Sequence, residues 1–362
     1  MTMTVQAPQH QHPLPLLKRW TTVLSGCNVP EIELADSVTR WLVISRACVF
    51  SMTMTSAMIG ALLAAEAGTF KLWLALLALV GLLAAHAVNN LINDWTDVRK
   101  GVDTEDYPRA QYSTHPILGG LTTMNGLLKM ALALNLLDAA ILVTFVLVQG
   151  PTVLLYALAG LGVSLAYTGF LKRIALGELA SLVVWGPLMI GGTYYAIAGE
   201  ITSPVWLATL PYGLIVASVL VGKHIDKRLP DTAVGVRSMP VLLGQGASLT
   251  LNKIAFLLFY LLVGALVALR VTGPWVLLTL LALPRLRQAW KAYSEPKPAE
   301  PPEGWTVWPL WYVGWAMFFN RRAGELFVLG LLLNTLIPRL LDALSSGSGG
   351  PEAAFSVSIS KA

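Results

Sequence analysis

Charge is what this chain has least of. Only 12% of its 362 residues are Asp, Glu, Lys or Arg, while 55% are hydrophobic and the mean hydropathy is +0.65. A soluble domain carries about 25% charged residues. So few charges cannot cover a water-exposed surface, and the solvent for most of this chain is lipid. Cysteine is almost absent. Cys27 and Cys48 are too few for a disulfide framework, and neither zinc nor disulfide chemistry is indicated. The first 36 residues lack the charged-then-apolar order and small-residue cleavage site of a signal peptide. The net charge of +5 does not call for a nucleic-acid partner. In a membrane protein, excess Lys and Arg marks cytoplasmic loops.

Long apolar runs are what the chain does have. A bilayer-crossing helix needs roughly 20 such residues. Nine runs qualify, near 41–65, 72–93, 124–148, 152–169, 177–199, 204–222, 247–269, 273–290 and 323–343. The expected fold class is therefore an all-α integral membrane protein. Residues 1–36 read as a polar cytoplasmic arm, 37–345 as the transmembrane domain and the Gly/Ser-rich 346–362 as a disordered tail. Nine spans place all but four of the 25 basic residues, Lys71, Arg270, Arg339 and Lys361, on the side of the N-terminus. That asymmetry makes the N-terminus and the long loops cytoplasmic.

Two of those loops are acidic. The stretch "NNLINDWTDVRKGVD" ends the second run with three asparagines and the acids Asp94, Asp97 and Asp103. The stretch "GKHIDKRLPDTAVGVRSMPVLLG" ends the sixth and carries Asp226 and Asp231 among Lys223, Lys227, Arg228 and Arg237. Four spans separate the two, so both emerge at one membrane surface. Solvated loop acids are the bland alternative, but two such clusters on one face, each abutting an apolar helix and mixed with cations, point to divalent-metal binding at a diphosphate. Mg²⁺ takes hard oxygen ligands and favours a few carboxylates plus phosphate oxygens. Three-residue spacing puts Asp94 and Asp97 on one helix face if the helix continues, with Asn90 and Asn93 on the same stripe. A cationic clamp of this kind stabilises a departing diphosphate.

These residues resemble the UbiA superfamily of intramembrane prenyltransferases over roughly 37–345. Asn93, Asp94 and Asp97 match the first motif, N-D-x-x-D. Many members carry a further Asp where this chain has Gly101, with Asp103 two residues on; that G-x-D ending resembles the branch that prenylates 1,4-dihydroxy-2-naphthoate on the way to menaquinone. Asp231, Gly235, Arg237 and Ser238 match the second motif, although Asp226 lies five residues before Asp231 where the family spacing is four. "LAYTGFLKRIALGELA" supplies Tyr167, Lys172, Gly177 and Glu178 at corresponding places.

The resemblance implies nine transmembrane helices around a central cavity. It also implies Mg²⁺-dependent transfer of a polyprenyl group from its diphosphate to a small aromatic acceptor. Asn93, Asp94, Asp97, Asp226 and Asp231 would hold metal. Asn90, Asp103, Arg109, Tyr167, Lys172, Lys227, Arg228 and Arg237 would contact substrate, with Tyr167, Trp185, Tyr194 and Tyr195 candidates to face the carbocation. The same fold could serve another acceptor, or a prenyl cyclase with none. A cation-coupled transporter is the non-enzymatic alternative. It usually places ionisable groups near the bilayer midplane on broken helices, whereas these acids lie at helix ends. Arg46, inside the first run, is costly in lipid and either functional or snorkelling. His115 could orient an acceptor or serve the loop. The Pro- and Trp-rich 291–322 segment reads as a connector and interfacial stretch without chemistry.

Overall fold

The computed structural model describes residues 13–169, 171 and 174–347, and among these every regular element is helical. Helix α1 (Leu16–Gly26) and α2 (Ser37–Ile44) precede α3 (Phe50–Glu66) and the long α4 (Leu72–Arg99). A short α5 (Pro108–Tyr112) lies in the first acidic loop, followed by α6 (Met124–Gln149) and α7 (Val153–Gly169). Next come α8 (Gly177–Val183), a π-helical stretch (Val184–Gly191) and α9 (Gly192–Ala198), which form one continuous rod. Helix α10 (Ser203–Asp226) leads through α11 (Arg228–Ala233) and α12 (Met239–Leu243) to α13 (Gln245–Ala268). A 3₁₀ stretch (Pro274–Ala282), α14 (Leu283–Ala292) and α15 (Tyr312–Gly347) complete the fold.

Among the described residues, seven helices are long and apolar enough to cross a bilayer: Ala47–Glu66, Leu72–Arg99, Met124–Gln149, Gly177–Ala198, Ser203–Asp226, Gln245–Ala268 and Tyr312–Asp342. The fourth expected span is the shorter α7, and the eighth is divided between the 3₁₀ stretch and α14, whose Arg285, Arg287 and Lys291 make it basic. The first span begins only at Ala47, because Arg46 adopts φ 57° and turns the chain between α2 and α3. The last helix starts at Tyr312, eleven residues before the expected start at 323, so "YVGWAMFF" is helix rather than a surface stretch. Aromatics favour no loop over a helix once one face can pack; Phe319 and Phe327 are fully buried there.

Local chemistry sets the ends. Asp36 caps α2 by accepting from the Thr39 amide, and Thr123 caps α6 by accepting from the Gly126 amide. Gly199 ends α9 in the left-handed region at φ 82°. Helix α10 is the most enclosed of the spans and packs against α8, α13 and α15, while α6 is the most exposed to lipid. Its closest approach uses paired glycines. A Cβ at Gly213 would lie 2.8 Å from the Leu182 carbonyl and 2.9 Å from the Gly186 Cα. Without a hydrophobic driving force inside lipid, such close backbone contact is what holds helices together. Pro187 lies inside the π-helical stretch opposite, where a backbone amide is missing in any case.

The reading of the cysteines is overturned. Cys27 and Cys48 form a disulfide with Cα atoms 5.0 Å apart. Twenty-one residues separate them, and left-handed turns at Cys27 and Arg46 bring α1 back onto the start of α3. Spacing alone carries no trace of such a turn. The arm is thus tied to the bundle, and it buries Val23 against Val29, Ile32 and Val43. The tail expectation falls on 348–362, which lie outside the described residues. Maleimide labelling of denatured, unreduced protein should modify neither cysteine, and reduction should expose both. Labelling before reduction would show that the link is absent.

Candidate active site

Helix α4 continues two turns past the apolar run, to Arg99. His86, Asn90, Asn93 and Asp97 therefore follow one another on a single stripe, at steps of three and four residues. Gly101, at φ 68°, reverses the chain so that the Val102 and Asp103 amides both donate to the Asp97 carbonyl. The reversal returns Asp103 to the neighbourhood of Asp97, and both line a small polar pocket with Asn93, Arg46, Lys223 and Lys227.

Asp94 is fully buried between two arginines. Arg46 donates through Nη2 to Oδ1 and through Nε to Oδ2 at 3.2 Å. Arg109 donates through Nε to Oδ1 at 3.3 Å and through Nη2 to Oδ2 at 3.1 Å. An ionised carboxylate has about four lone-pair sites, and these four bonds fill them. Asp94, Asp103 and His115 also offer atoms within 4.8 Å of one another, a spacing that could admit a cation. In this structure the Asp94 carboxylate anchors the two arginines. Asn90 supports the same anchor. Its Nδ2 donates to the Ser45 carbonyl at 2.9 Å, beside the turn that aims Arg46, and the residue also lines the cavity below.

His115 fixes Asp103. The Ile117 and Leu118 amides both donate to its Nδ1, which leaves the proton on Nε2 to donate to Asp103 at 3.3 Å. Burial, followed by the charges of Arg109 and Arg46, keeps the imidazole below its ordinary value despite the pull of Asp103. Burial would raise the Asp103 carboxyl, but the His115 hydrogen bond and the charges of Arg46 and Lys227 hold it below its usual range.

The two acidic loops meet through a residue absent from the sequence expectations. Tyr107 donates from its hydroxyl to Asp231 Oδ1 at 2.5 Å, and Lys227 Nζ lies 4.4 Å above the same ring and 3.7 Å from Asp231. A lone loop tyrosine carries no sequence signal of such a role. Below, His224 shares a proton with Glu178 at 2.6 Å, and Glu178 also accepts from the Met239 amide at 3.0 Å, which seats the loop after α11.

Beneath the polar pocket opens a cavity of about 910 Å³. Asn93, Arg46, Tyr167 and Lys223 line both spaces, so the polar pocket forms a mouth of the larger one. One wall comes from α4, α6 and α7, with Gly81, Ile141, Phe145 and Leu161. Trp185, on the π-helical stretch, lies edge-on to His86 and donates to Thr53, which also bonds His86.

The sequence matches the UbiA prenyltransferase family over residues 53–320. The chain belongs to the UbiA prenyltransferase family. A 1,4-dihydroxy-2-naphthoate octaprenyltransferase of Bacillus subtilis (strain 168) is 24% identical over 255 residues, 67% of this chain and 79% of the relative. UbiA prenyltransferase domain-containing protein 1 of Danio rerio is 25% identical over 248 residues, 66% of this chain and 71% of the relative. Among solved structures, an apo UbiA homologue from Aeropyrum pernix K1 superposes with TM-score 0.60 at 20% identity, covering 79% of this chain and 98% of that one. A digeranylgeranylglyceryl phosphate synthase structure gives TM-score 0.54 at 18% identity, covering 82% of this chain and 98% of that one. The protein is a multi-pass membrane prenyltransferase of this fold.

Not every expected site residue of this prenyltransferase reaches the pocket. The Asp226 carboxylate accepts from the Tyr312 and Val313 amides at 3.1 and 2.9 Å and so caps the start of α15. Asp226 is the last residue of α10 and Asp231 lies on α11 beyond the break at Lys227, so the two carboxylates do not share a helix face. Arg237 is exposed, and neither it nor Arg228 lines the pocket; Lys223 does. Lys172 lies outside the described residues. Tyr194 and Tyr195 are buried in the core, where Tyr195 stacks on Tyr156; neither lines the cavity, while Tyr156 does.

Two buried oxygens are orphaned here. Asn93 Oδ1 and Asp231 Oδ2 have no hydrogen-bond partner. Buried acceptors are rarely left so, and oxygen atoms waiting for a positive partner fit a hard divalent cation. Asn93, Asp97 and Asp103 share the polar pocket and could hold one; Asp231 lies outside that lining, tied to Tyr107 and Lys227. The Asp226 correction has a direct check. Asp226→Ala should cost about 1–3 kcal/mol of stability by stripping two helix-end amides of their acceptor, seen as a lowered Tm. Prenyl transfer per folded molecule should persist, and a normal Tm with no activity would return Asp226 to the site.

Proposed function

We propose that the chain transfers a polyprenyl group from its diphosphate to an aromatic quinone precursor such as 1,4-dihydroxy-2-naphthoate, with Mg²⁺ as cofactor. The single observation that carries this reading is the polar pocket of Asn93, Asp97, Asp103, Lys223 and Lys227, with the orphaned Asn93 Oδ1, at the mouth of a deep apolar cavity. The diphosphate sits at the mouth and the tail runs down the α4–α6–α7 wall, where its methylenes leave water. Asn93, Asp97 and Asp103 would hold Mg²⁺, with Asp231 behind them through Lys227 and Tyr107, and the ion would supply positive charge to the diphosphate oxygens.

The protein's own cations do the rest of that work. Lys223, Lys227 and Arg46 face the pocket and receive the charge that grows on the leaving group. The C1–O bond breaks with its electron pair going to diphosphate. The allylic cation is then attacked by a ring carbon of the acceptor, a C–C bond forms, and the ring loses a proton. Tyr167 and Trp185 flank the cavity there with aromatic faces, which favour a cation, and the apolar walls keep water from it. The basic residues gathered on the side of the N-terminus support a cytoplasmic position for this mouth. The naphthoate acceptor is favoured by the G-x-D ending and by the names of the distant relatives.

Purified protein given labelled polyprenyl diphosphate, Mg²⁺ and a panel of acceptors should form an EDTA-sensitive lipid product with 1,4-dihydroxy-2-naphthoate. Asp97→Ala and Asp231→Ala should each lower turnover by at least ~100-fold, the scale of losing one preorganised charge-stabilising group, with unchanged detergent-micelle elution. Near-normal turnover in either variant would sink the two-loop site. Diphosphate release that needs no acceptor would favour a cyclase.

A further inference from the structure

The segment expected to carry no chemistry forms a wall of the cavity. Trp305, Leu310, Trp315, Phe318 and Arg321 line it, opposite the aliphatic wall of α4, α6 and α7. Trp305 and Trp315 have ring centroids 5.5 Å apart, and Phe318 meets Trp315 edge-on at 5.6 Å. The spacing 315, 318, 321 puts the last three on one face of α15.

Arg321 lies about 14 Å along the α15 axis from Tyr312, inside the membrane-spanning segment. A cation at that depth is expensive and marks a site by default. No carboxylate among the described residues forms an ion pair with it; Glu325, one turn on, pairs with Arg322 instead. Its Nη2 donates to the carbonyls of Leu24 and Cys48, at 3.1 and 2.8 Å, which aims the guanidinium at the wall beside the α2–α3 turn. Its Nε has no acceptor, and neither has the indole N–H of Trp315. The unmet groups on the cavity face are donors, Arg321 Nε and Trp315 Nε1, and the charges at this wall are positive: Arg321 in it, and Arg285 with its guanidinium 3.9 Å over the Phe318 ring. The complement is an anionic acceptor group attached to a flat ring.

We infer that Trp305, Trp315, Phe318 and Arg321 form the subsite for an aromatic carboxylate: the ring packs on the indoles and the carboxylate meets Arg321. This rests on the prenyl-acceptor reading above and adds to it where the acceptor binds and why it carries a carboxylate. The acid-and-lysine mouth and this wall meet at Arg46, which belongs to both the polar pocket and the cavity, so the two substrates approach from different walls.

The test needs neither Mg²⁺ nor donor. In EDTA, calorimetric titration of the detergent-solubilised protein compares 1-hydroxy-2-naphthoate with 1-naphthol, which lacks the carboxylate. The wild type should favour the naphthoate by about ten-fold, the scale of a charge-assisted hydrogen bond. Arg321→Gln should erase that preference, and Arg321→Lys should restore part of it. Trp315→Leu should weaken both probes and leave their ratio intact. A merely structural Arg321 would lower both affinities together. Equal affinity in the wild type, or a preference that survives Arg321→Gln, overturns the inference, and the wild-type comparison stands even if a variant fails to fold. Should the naphthoate bind with the expected preference yet never be prenylated, the subsite stands and the proposed acceptor falls.

Discussion

One buried carboxylate organises the polar end of this protein. Asp94 takes four hydrogen bonds from two guanidiniums, one on the turn before α3 and one on the loop after α4. That ties two separate stretches of chain to the last turns of α4. Removing one partner of such a pair strands the others' charge and costs roughly 3–5 kcal/mol. Asn90 and His115 extend the arrangement, the first by holding the Ser45 carbonyl and the second by holding Asp103. Asp97 and Asp103, with the amide of Asn93, are then presented at one pocket, and Tyr107 ties Asp231 of the second loop in behind it.

The same anchor separates two chemistries. Above it the pocket is polar and rich in cations; below it the cavity is walled by aliphatic and aromatic side chains. An amphiphile with a charged head and a hydrocarbon tail is matched at both ends by that division. Burial in lipid makes each unpaired polar group costly, so those that stay unpaired here, Asn93 Oδ1 and Arg321 Nε, report where ligand atoms belong. The disulfide and the two Arg321 bonds to Leu24 and Cys48 bring α1 against this same end, so the arm read from composition as a polar appendage closes the structure over the cavity.

Sequence reasoning went wrong where direction mattered. Asp226 looked like the partner of Asp231, yet it ends α10 before the break at Lys227 and accepts from the amides of α15. Arg237 matched a motif and stands in solvent, while Lys223, a turn below, faces the pocket. Tyr194 and Tyr195 sit on a cavity-lining helix but on its packed side. In each case the residue type was informative, and the helical phase that aims it depended on where the helix ended.

By itself the sequence determined the class of solvent, the run of membrane helices, the presence of two acidic loops on one face and the family. These follow from composition, from apolar run lengths and from local spacing, all of which are properties of neighbouring residues. Tertiary structure alone decided that Asp94 binds arginines, that Tyr107 joins the loops, that Cys27 meets Cys48 and that a Trp-rich connector walls the cavity. Those partners lie 48, 124, 21 and more residues apart. Hydrogen bonds, disulfides and ring contacts act over a few ångströms, so only the packed chain brings such pairs within reach of one another.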